Sequence, residues 1–444
     1  MVRLFAVADD LTGANATGAL LAAVGFRAAT LIPERFDALP PTPPYDALIV
    51  STNSRALPAD EAYTRVRTCF SRFKGKGASQ FSKRIDTTLR GNVAAEIDAA
   101  LDELDDVEMA VVVPAFPKSG RITVGGYQIV NGIPLEKTPV AQDPRTPVSK
   151  SHVPSLIQEG TRRKVASIEL GDVLRGWESI HRRMVEARSS GAQVVVVDAT
   201  TDDEISTIAK AASRLPFRVL SVDPGQLTAS IAVASGTTGV CRDTPDSRGR
   251  VVLALVGSAT PITRTQIRRL KDSLPNVTVA VDAKALAEGE PPRSSAIVKD
   301  AVARALGAIS TRASGDMVII VTSSSTQEDT LDLAGLDNET NRAVGASAAN
   351  LCSGLGRIAG TVLESAKGDI AGMYVTGGDT TLAVLEETGA AGIEVSMEVL
   401  PLAAFGTVVG GPHEGLRIVT KGGLVGGEDA AVRCVRHLLQ RDAG

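Results

Sequence analysis

Rings and thiols are scarce in this chain: 3% of its 444 residues are aromatic, one of them a tryptophan, and it carries four cysteines and four histidines. Cys69, Cys241, Cys352 and Cys434 stand far apart and form no C-x-x-C pair, which indicates neither a disulfide framework nor a zinc site. A reducing cytoplasm is the expected compartment. Charge of one sign is not in excess either. With 47 Lys plus Arg against 51 Asp plus Glu, the net charge of -4 offers no basic field to nucleic acid or anionic lipid. No run reaches the roughly 18 apolar residues that span a membrane. Met1 to Ala8 is too short for a signal-peptide core, and Asp9-Asp10 stop it. A G-x-x-x-x-G-K-[ST] phosphate loop is missing as well. The expected partner is therefore a small molecule, with no nucleic acid and no membrane, and nothing in the sequence sets an oligomeric state.

What is present is length and rhythm. A chain of 444 residues exceeds what one hydrophobic core organises, so two domains are expected. Short apolar runs alternate with helical patterns in both halves, which argues for parallel sheets flanked by helices. The fold class expected is α/β, with two domains that each hold a largely parallel sheet. Gly125-Gly126 and Asn131-Gly132, set between short alternating runs from Arg121 to Leu135, predict a small antiparallel hairpin insertion in the first. The polar stretch 241–250 reads as a linker between a domain of residues 1–240 and one of residues 251–444.

The densest chemistry lies at Lys83-Arg84-Ile85-Asp86-Thr87-Thr88-Leu89-Arg90-Gly91-Asn92, between a strand pattern (Gln80 to Ile85) and a helical one (Val93 to Leu104). So polar a stretch is poor core material and suits a loop that grips an anionic, hydroxyl-rich small molecule, such as a sugar acid. Two further strand patterns end in polar groups. Leu4 to Ala8 runs into Asp9-Asp10-Leu11-Thr12-Gly13-Ala14-Asn15, and Ala47 to Ser51 into Asn53-Ser54-Arg55. In open α/β sheets ligands bind at the carboxyl ends of strands, so the three clusters are expected to share one crevice. Asp10 or Thr12 could instead simply cap the following helix. Arg90 and Arg121 are the candidates for a bidentate grip on a substrate carboxylate.

The second half differs. Strand pattern Met373 to Thr376 runs into Gly377-Gly378-Asp379-Thr380-Thr381 before a helical segment, and glycines there let backbone N–H groups approach phosphate. Gly257-Ser258 after Val251 to Val256, Gly410-Gly411, and Lys421-Gly422-Gly423-Leu424-Val425-Gly426 add three more glycine turns. Four at strand ends in one domain point to a phosphate-bearing ligand. Gly354 to Gly360 mimics a dinucleotide fingerprint but lies inside a helical run, where it reads as close helix packing.

Taken together, Asp9 to Gly13, Lys83 to Asn92, Pro114 to Val124, Asp143-Pro144, Ser151 to Pro154, Gly257-Ser258, Thr376 to Thr380 and Lys421 to Gly426 resemble, in order and over nearly the whole chain, the four-carbon acid sugar kinase family. The resemblance implies that the first domain binds an acid such as threonate, erythronate or 3-oxo-tetronate, that the second binds ATP with Mg²⁺, and that the 4-hydroxyl is phosphorylated. It places substrate against Asp10, Arg55 and the Lys83 to Arg90 loop with Lys83, Arg84, Asp86, Thr87 and Arg90, to which the residue chemistry adds Asp9, Asn92 and Arg121. It places nucleotide against Ser258, Gly377, Gly378, Asp379, Thr380, Gly410, Gly411, Lys421, Gly422, Gly423 and Gly426. Three positions depart from the family pattern: Ala16 stands where an Asp is common, Arg84 to Thr88 replace K-x-D-S-T, and Ala259 replaces a frequent cysteine. Asp379 and Asp10 are the candidates for general base, and no set of metal ligands is singled out. Phosphoryl transfer needs positioning and charge neutralisation above all, with closure at the linker expected to exclude water. The rival expectations are a nicotinamide-dependent oxidoreductase on a small sugar acid and a non-catalytic sugar-acid sensor.

Overall fold

The computed structural model describes residues 2–38, 43–143, 145–236, 249–289, 295–312, 315–323, 331–366 and 368–440. Pro144, Cys241 and most of the expected linker (241–248) lie outside them. The chain divides into two compact units, residues 1–33 with 40–241 and residues 34–39 with 242–444. Among the described residues no helix is long and apolar enough to cross a membrane.

In the first unit the chain forms β1 (Leu4–Ala8), β2 (Ala28–Leu31), β3 (Ala47–Ser51), β4 (Gln80–Arg84) and β5 (Val107–Val112). A meander of β6 (Arg121–Val124), β7 (Tyr127–Val130) and β8 (Ile133–Pro134) follows, then β9 (Lys164–Ile168), β10 (Ala192–Val197) and β11 (Arg218–Asp223). The large sheet runs β2-β3-β1-β4-β11-β5-β10-β9, and all its pairings are parallel. Most of its strands are runs of Ala, Val, Ile and Leu buried on both faces, as a sheet covered on both sides by helices demands; β4 (Gln-Phe-Ser-Lys-Arg) is largely polar and the edge strand β9 is mostly exposed or half-exposed. Parallel pairing puts every carboxyl end on one edge. The register Ser51↔Ala8↔Arg84↔Asp223 makes the residues that follow emerge side by side. The meander matches the expected hairpin insertion: Gly125 and Gly126 both have positive φ, 60° and 77°, and the order is β6-β7-β8.

The second unit contains β12 (Val251–Val256), β13 (Asn276–Ala280), β14 (Met317–Thr322), β15 (Ile370–Thr376), β16 (Gly392–Leu400), β17 (Ala403–Val409) and β18 (Arg417–Lys421). Their order is β13-β14-β12-β15-β18-β17-β16. The first five are parallel, whereas β17 runs antiparallel to both neighbours. The sequence pattern missed β16 to β18 and the four-residue β2. Gly354 to Gly360 do lie within the helix Ala346–Ala366, where a Cβ on Gly356 would fall 2.7 Å from the Ala383 carbonyl of the neighbouring helix.

The helix after β1 starts at Leu11, and the Asp10 carboxylate caps it by accepting the Gly13 N–H at 2.9 Å, the role the sequence allowed for Asp10. The helix after β15 starts at Gly378, entered through Gly377 at φ 107°.

Candidate active site

At the carboxyl edge of the first unit the three polar clusters form one ion-paired lattice. Arg55 donates from Nε to Asp9 Oδ2 at 2.6 Å, and its Nη2 lies 2.9 Å from Asp10 Oδ1 and 3.8 Å from Asp86 Oδ1. Arg84 Nη1 donates to Asp9 Oδ1 at 3.2 Å and to Asp10 Oδ1 at 2.9 Å. Arg90 embraces Asp86 through Nε (2.9 Å) and Nη2 (3.2 Å), and its Nη1 reaches Asp143 Oδ2 at 3.4 Å. Each aspartate from 9, 10 and 86 is thus shared by two guanidiniums. Burial alone would raise the Asp86 pKa, but Arg55 and Arg90 outweigh it and hold the carboxyl well below its usual range. Asp9 is held down in the same sense by Arg55 and Arg84.

The backbone at this edge is unusual. Asn53 and Leu89 take positive φ, 47° and 59°, in a region that non-glycine residues rarely enter. Gly91, at φ 93°, passes so close to Arg55 that a Cβ would lie 3.3 Å from its Cγ. Below the lattice Lys83 is fully buried and pairs with Glu96 at 2.8 Å, with the Ser54 hydroxyl on the other Glu96 oxygen. Burial pushes the Glu96 pKa up despite Lys83.

Some expected substrate contacts are engaged within the protein itself. Lys83 points inward to Glu96 and the Arg84 carbonyl and supports the edge from below. Arg84 is 3% exposed and is spent on Asp9 and Asp10. Asn92 ties its Nδ2 to the Ser54 and Leu57 carbonyls at 3.2 and 2.8 Å. The groups left facing outward are different ones. Asp10 uses Oδ1 for both of its hydrogen-bond donors, Gly13 N–H and Arg84 Nη1, and for its ion pair with Arg55, leaving Oδ2 as an acceptor. Arg121, at the base of the hairpin, pairs with no carboxylate among the described residues; its Nη1 bonds the Ser119 carbonyl and its Nε is buried without an acceptor. Burial lowers its pKa, with nearby Asp86 opposing and Arg90 reinforcing the fall. A cavity of about 490 Å³ adjoins the lattice, lined among others by Arg55, Leu57, Leu89, Asn92, Arg145 and Lys150.

Sequence reasoning overlooked three supporting residues. Gln128 of β7, fully buried, donates to the Thr87 carbonyl at 2.9 Å and so braces the Asp86 loop against the hairpin. Asp198, after β10, accepts the N–H groups of Gly125, Gly126 and Leu170, and burial raises its pKa against those bonds. Glu96 sits on the apolar stripe of its helix, three residues after Val93 and four before Ala100. A carboxylate on a core-facing stripe was a readable signal.

In the second unit the register Val256↔Thr376↔Lys421 brings the turns at Gly257, Gly377 and Gly422 together on one edge. They interlock: a Cβ on Gly257 would fall 1.9 Å from Thr380 Oγ1, and one on Gly423 would fall 2.4 Å from Ser258 Oγ. Asp379 stands exposed in the first turn of the helix Gly378–Glu387. Gly410 and Gly411 are corrected. They follow β17, whose antiparallel direction carries them to the opposite edge, where Gly411 packs on the Gly389 backbone. The Lys421 ammonium is buried and donates to the carbonyls of Gly422 (2.8 Å) and Val425 (3.2 Å).

A paired-charge crevice on one α/β unit and clustered glycine turns on the other match known proteins in the same order. Residues 4–231 match the sugar-binding N-terminal domain family, and residues 253–431 match the nucleotide-binding C-terminal domain family. The chain is 39% identical over 441 residues to a D-erythronate kinase of Heliobacterium modesticaldum, covering 99% of this chain and 98% of that one. It is 29% identical over 444 residues to a D-threonate kinase of Salmonella typhimurium, covering 100% of each. A crystal structure of a Haemophilus influenzae protein shares the fold with a TM-score of 0.73 at 21% identity, covering 98% of this chain and 100% of that one. These features define a two-domain small-molecule kinase, a phosphotransferase that uses ATP. The chain belongs to the four-carbon acid sugar kinase family.

Proposed function

We propose that the protein transfers the γ-phosphoryl group of ATP to the 4-hydroxyl of a four-carbon monocarboxylic sugar acid of the erythronate or threonate type. The observation that carries this reading is Arg121. In a lattice where Arg55, Arg84 and Arg90 each have carboxylate partners, it alone of these arginines has none among the described residues, although Arg55 Nη2 and Arg84 Nε share with its Nε the lack of a hydrogen-bond acceptor. A substrate carboxylate supplies what that guanidinium lacks, and bidentate geometry suits the pair. The free Oδ2 of Asp10 accepts a hydrogen bond from a substrate hydroxyl.

In the reaction the 4-hydroxyl oxygen attacks the γ-phosphorus, the bond from phosphorus to the bridging oxygen breaks, and ADP departs with that electron pair. The hydroxyl proton passes to a carboxylate acting as general base, for which Asp379, exposed on its helix turn, and Asp10 are the candidates. Mg²⁺ accompanies such transfers, neutralising the phosphate oxygens. No group of three or more His, Cys, Asp or Glu able to hold a metal exists among the described residues. That fits an ion bound mainly by phosphates and water with one or two carboxylates at most.

A coupled ADP-release assay over D-erythronate, D-threonate, L-threonate and 3-oxo-tetronate tests the reading. The expected result is turnover that requires both ATP and one of these acids. Nicotinamide-dependent absorbance change without ADP release would favour an oxidoreductase instead, and ligand binding with no turnover a sensor.

A further inference from the structure

The turn after β18 is organised from behind by side chains to which no function has been attached. The Gly423 carbonyl accepts Thr260 Oγ1 at 2.9 Å and Thr263 Oγ1 at 2.8 Å. A single amide nitrogen, Gln266 Nε2, donates to the carbonyls of Val425 (3.0 Å), Gly426 (3.2 Å) and Gly427 (2.9 Å). The Gly422 carbonyl takes Lys421 Nζ. These donors sit behind the turn, on the helix Pro261–Ser273 and at the end of β18.

In a trans peptide unit the C=O and the N–H point in opposite directions. Holding the carbonyls of residues 422, 423, 425 and 426 inward therefore turns the N–H groups of Gly423, Leu424, Gly426 and Gly427 the other way. Those four N–H groups donate to no acceptor among the described residues. Successive outward N–H groups make an anion-binding concavity. Gln266 is fully buried, yet its Oε1 has no partner. An amide retained there at the cost of an unmet acceptor is explained by what its nitrogen does. Lys421 adds a buried ammonium behind the same turn with no carboxylate paired to it.

We propose that Gln266 and Thr263 are positioning residues that turn the 422–427 segment into a seat for the phosphate groups of the nucleotide. The inference rests on the reading that the second unit takes ATP, and it assigns the grip to backbone N–H groups oriented by the helix behind them.

The test uses the full-length protein, with ADP and adenosine titrated by calorimetry and KM determined for ATP and for the sugar acid. Gln266→Met keeps the volume and removes the donor. It is expected to weaken ADP by about tenfold or more, the scale of one to two lost hydrogen bonds, and to leave adenosine affinity and the KM for the acid unchanged. Thr263→Val keeps the shape and removes one of two hydroxyls on the Gly423 carbonyl. It is expected to weaken ADP several-fold with the same selectivity, and it decides the matter if Gln266→Met does not fold. ADP affinity unchanged in the folded variants, or ADP and adenosine weakened together, overturns the proposal. Wild-type protein that binds neither ligand brings down the nucleotide reading and this one with it. Wild-type binding with indifferent variants brings down the positioning role alone.

Discussion

Replacing Lys421 by methionine removes a buried charge that has no carboxylate beside it. Burial takes the lysine pKa from 10.5 down to about 8. At about 1.4 kcal/mol per pH unit, that fall means the charged form costs about 3 kcal/mol of folding stability at neutral pH. The hydrogen bonds to the Gly422 and Val425 carbonyls act within that net fall and are not added to it. Lys421→Met is therefore expected to hold or raise the melting midpoint at pH 7 by a few degrees. The signature is the pH dependence. Because the folded pKa lies below the unfolded one, the unfolded chain binds more protons between pH 8 and 10.5, and stability rises with pH across that window. Denaturant melts at about pH 7.5 and 9.5 should show wild type gaining ~2 kcal/mol relative to Lys421→Met. A phosphate seated on the turn favours the charged ammonium, so ADP binding at about pH 8.5 should take up a proton in wild type and not in the variant. Calorimetry in two buffers of different ionisation enthalpy measures that uptake. Parallel stability profiles and equal proton uptake would refute the reasoning.

Other perturbations separate the remaining roles. Asp379→Asn should lower kcat by about 10²-fold or more with little change in the KM for ATP, as expected of a general base; a raised Mg²⁺ requirement with kcat restored at saturation would make Asp379 a metal ligand instead. Arg121→Met should raise the KM for the acid by roughly tenfold or more while leaving the KM for ATP alone, and an unchanged acid KM removes Arg121 from carboxylate binding. Asp86→Asn takes the bidentate partner from Arg90, leaving it Asp143 alone, and a third carboxylate from Arg55, and should cost about 3 kcal/mol in denaturant unfolding. Since the folded Asp86 pKa lies well below 3.8, its stabilisation is present above that value and lost as pH falls beneath it. Acid unfolding that begins near pH 4 in wild type and is blunted in Asp86→Asn is the expected pattern.

The α/β class, most strands and the hairpin were legible in the sequence because buried parallel strands are short apolar runs and Gly-Gly turns have few other uses. Of the missed strands, β2 is only four residues long. β16, which alternates apolar positions with Glu394, Ser396 and Glu398, and β17, a run of seven buried residues, did carry strand signatures that the reading passed over. The clusters of charge were visible, but their division of labour was not. Whether Lys83 faces a ligand or Glu96, and which way β17 carries Gly410, depend on partners distant in sequence. Gln128 and Gln266 were invisible for a related reason: an isolated glutamine in a strand or helix looks like surface until the carbonyls it serves are folded against it.

Sharing each aspartate between two guanidiniums has an evolutionary corollary. A change at Asp9, Asp10, Asp86 or Arg55 weakens the pairing of more than one neighbour at once, so single steps there disturb the whole lattice. Divergence toward a new acid is easier at the margin, at Arg121 and along the hairpin that carries it, where a residue can be exchanged without unpicking the weave. Relatives that differ in preference should therefore differ first at that rim.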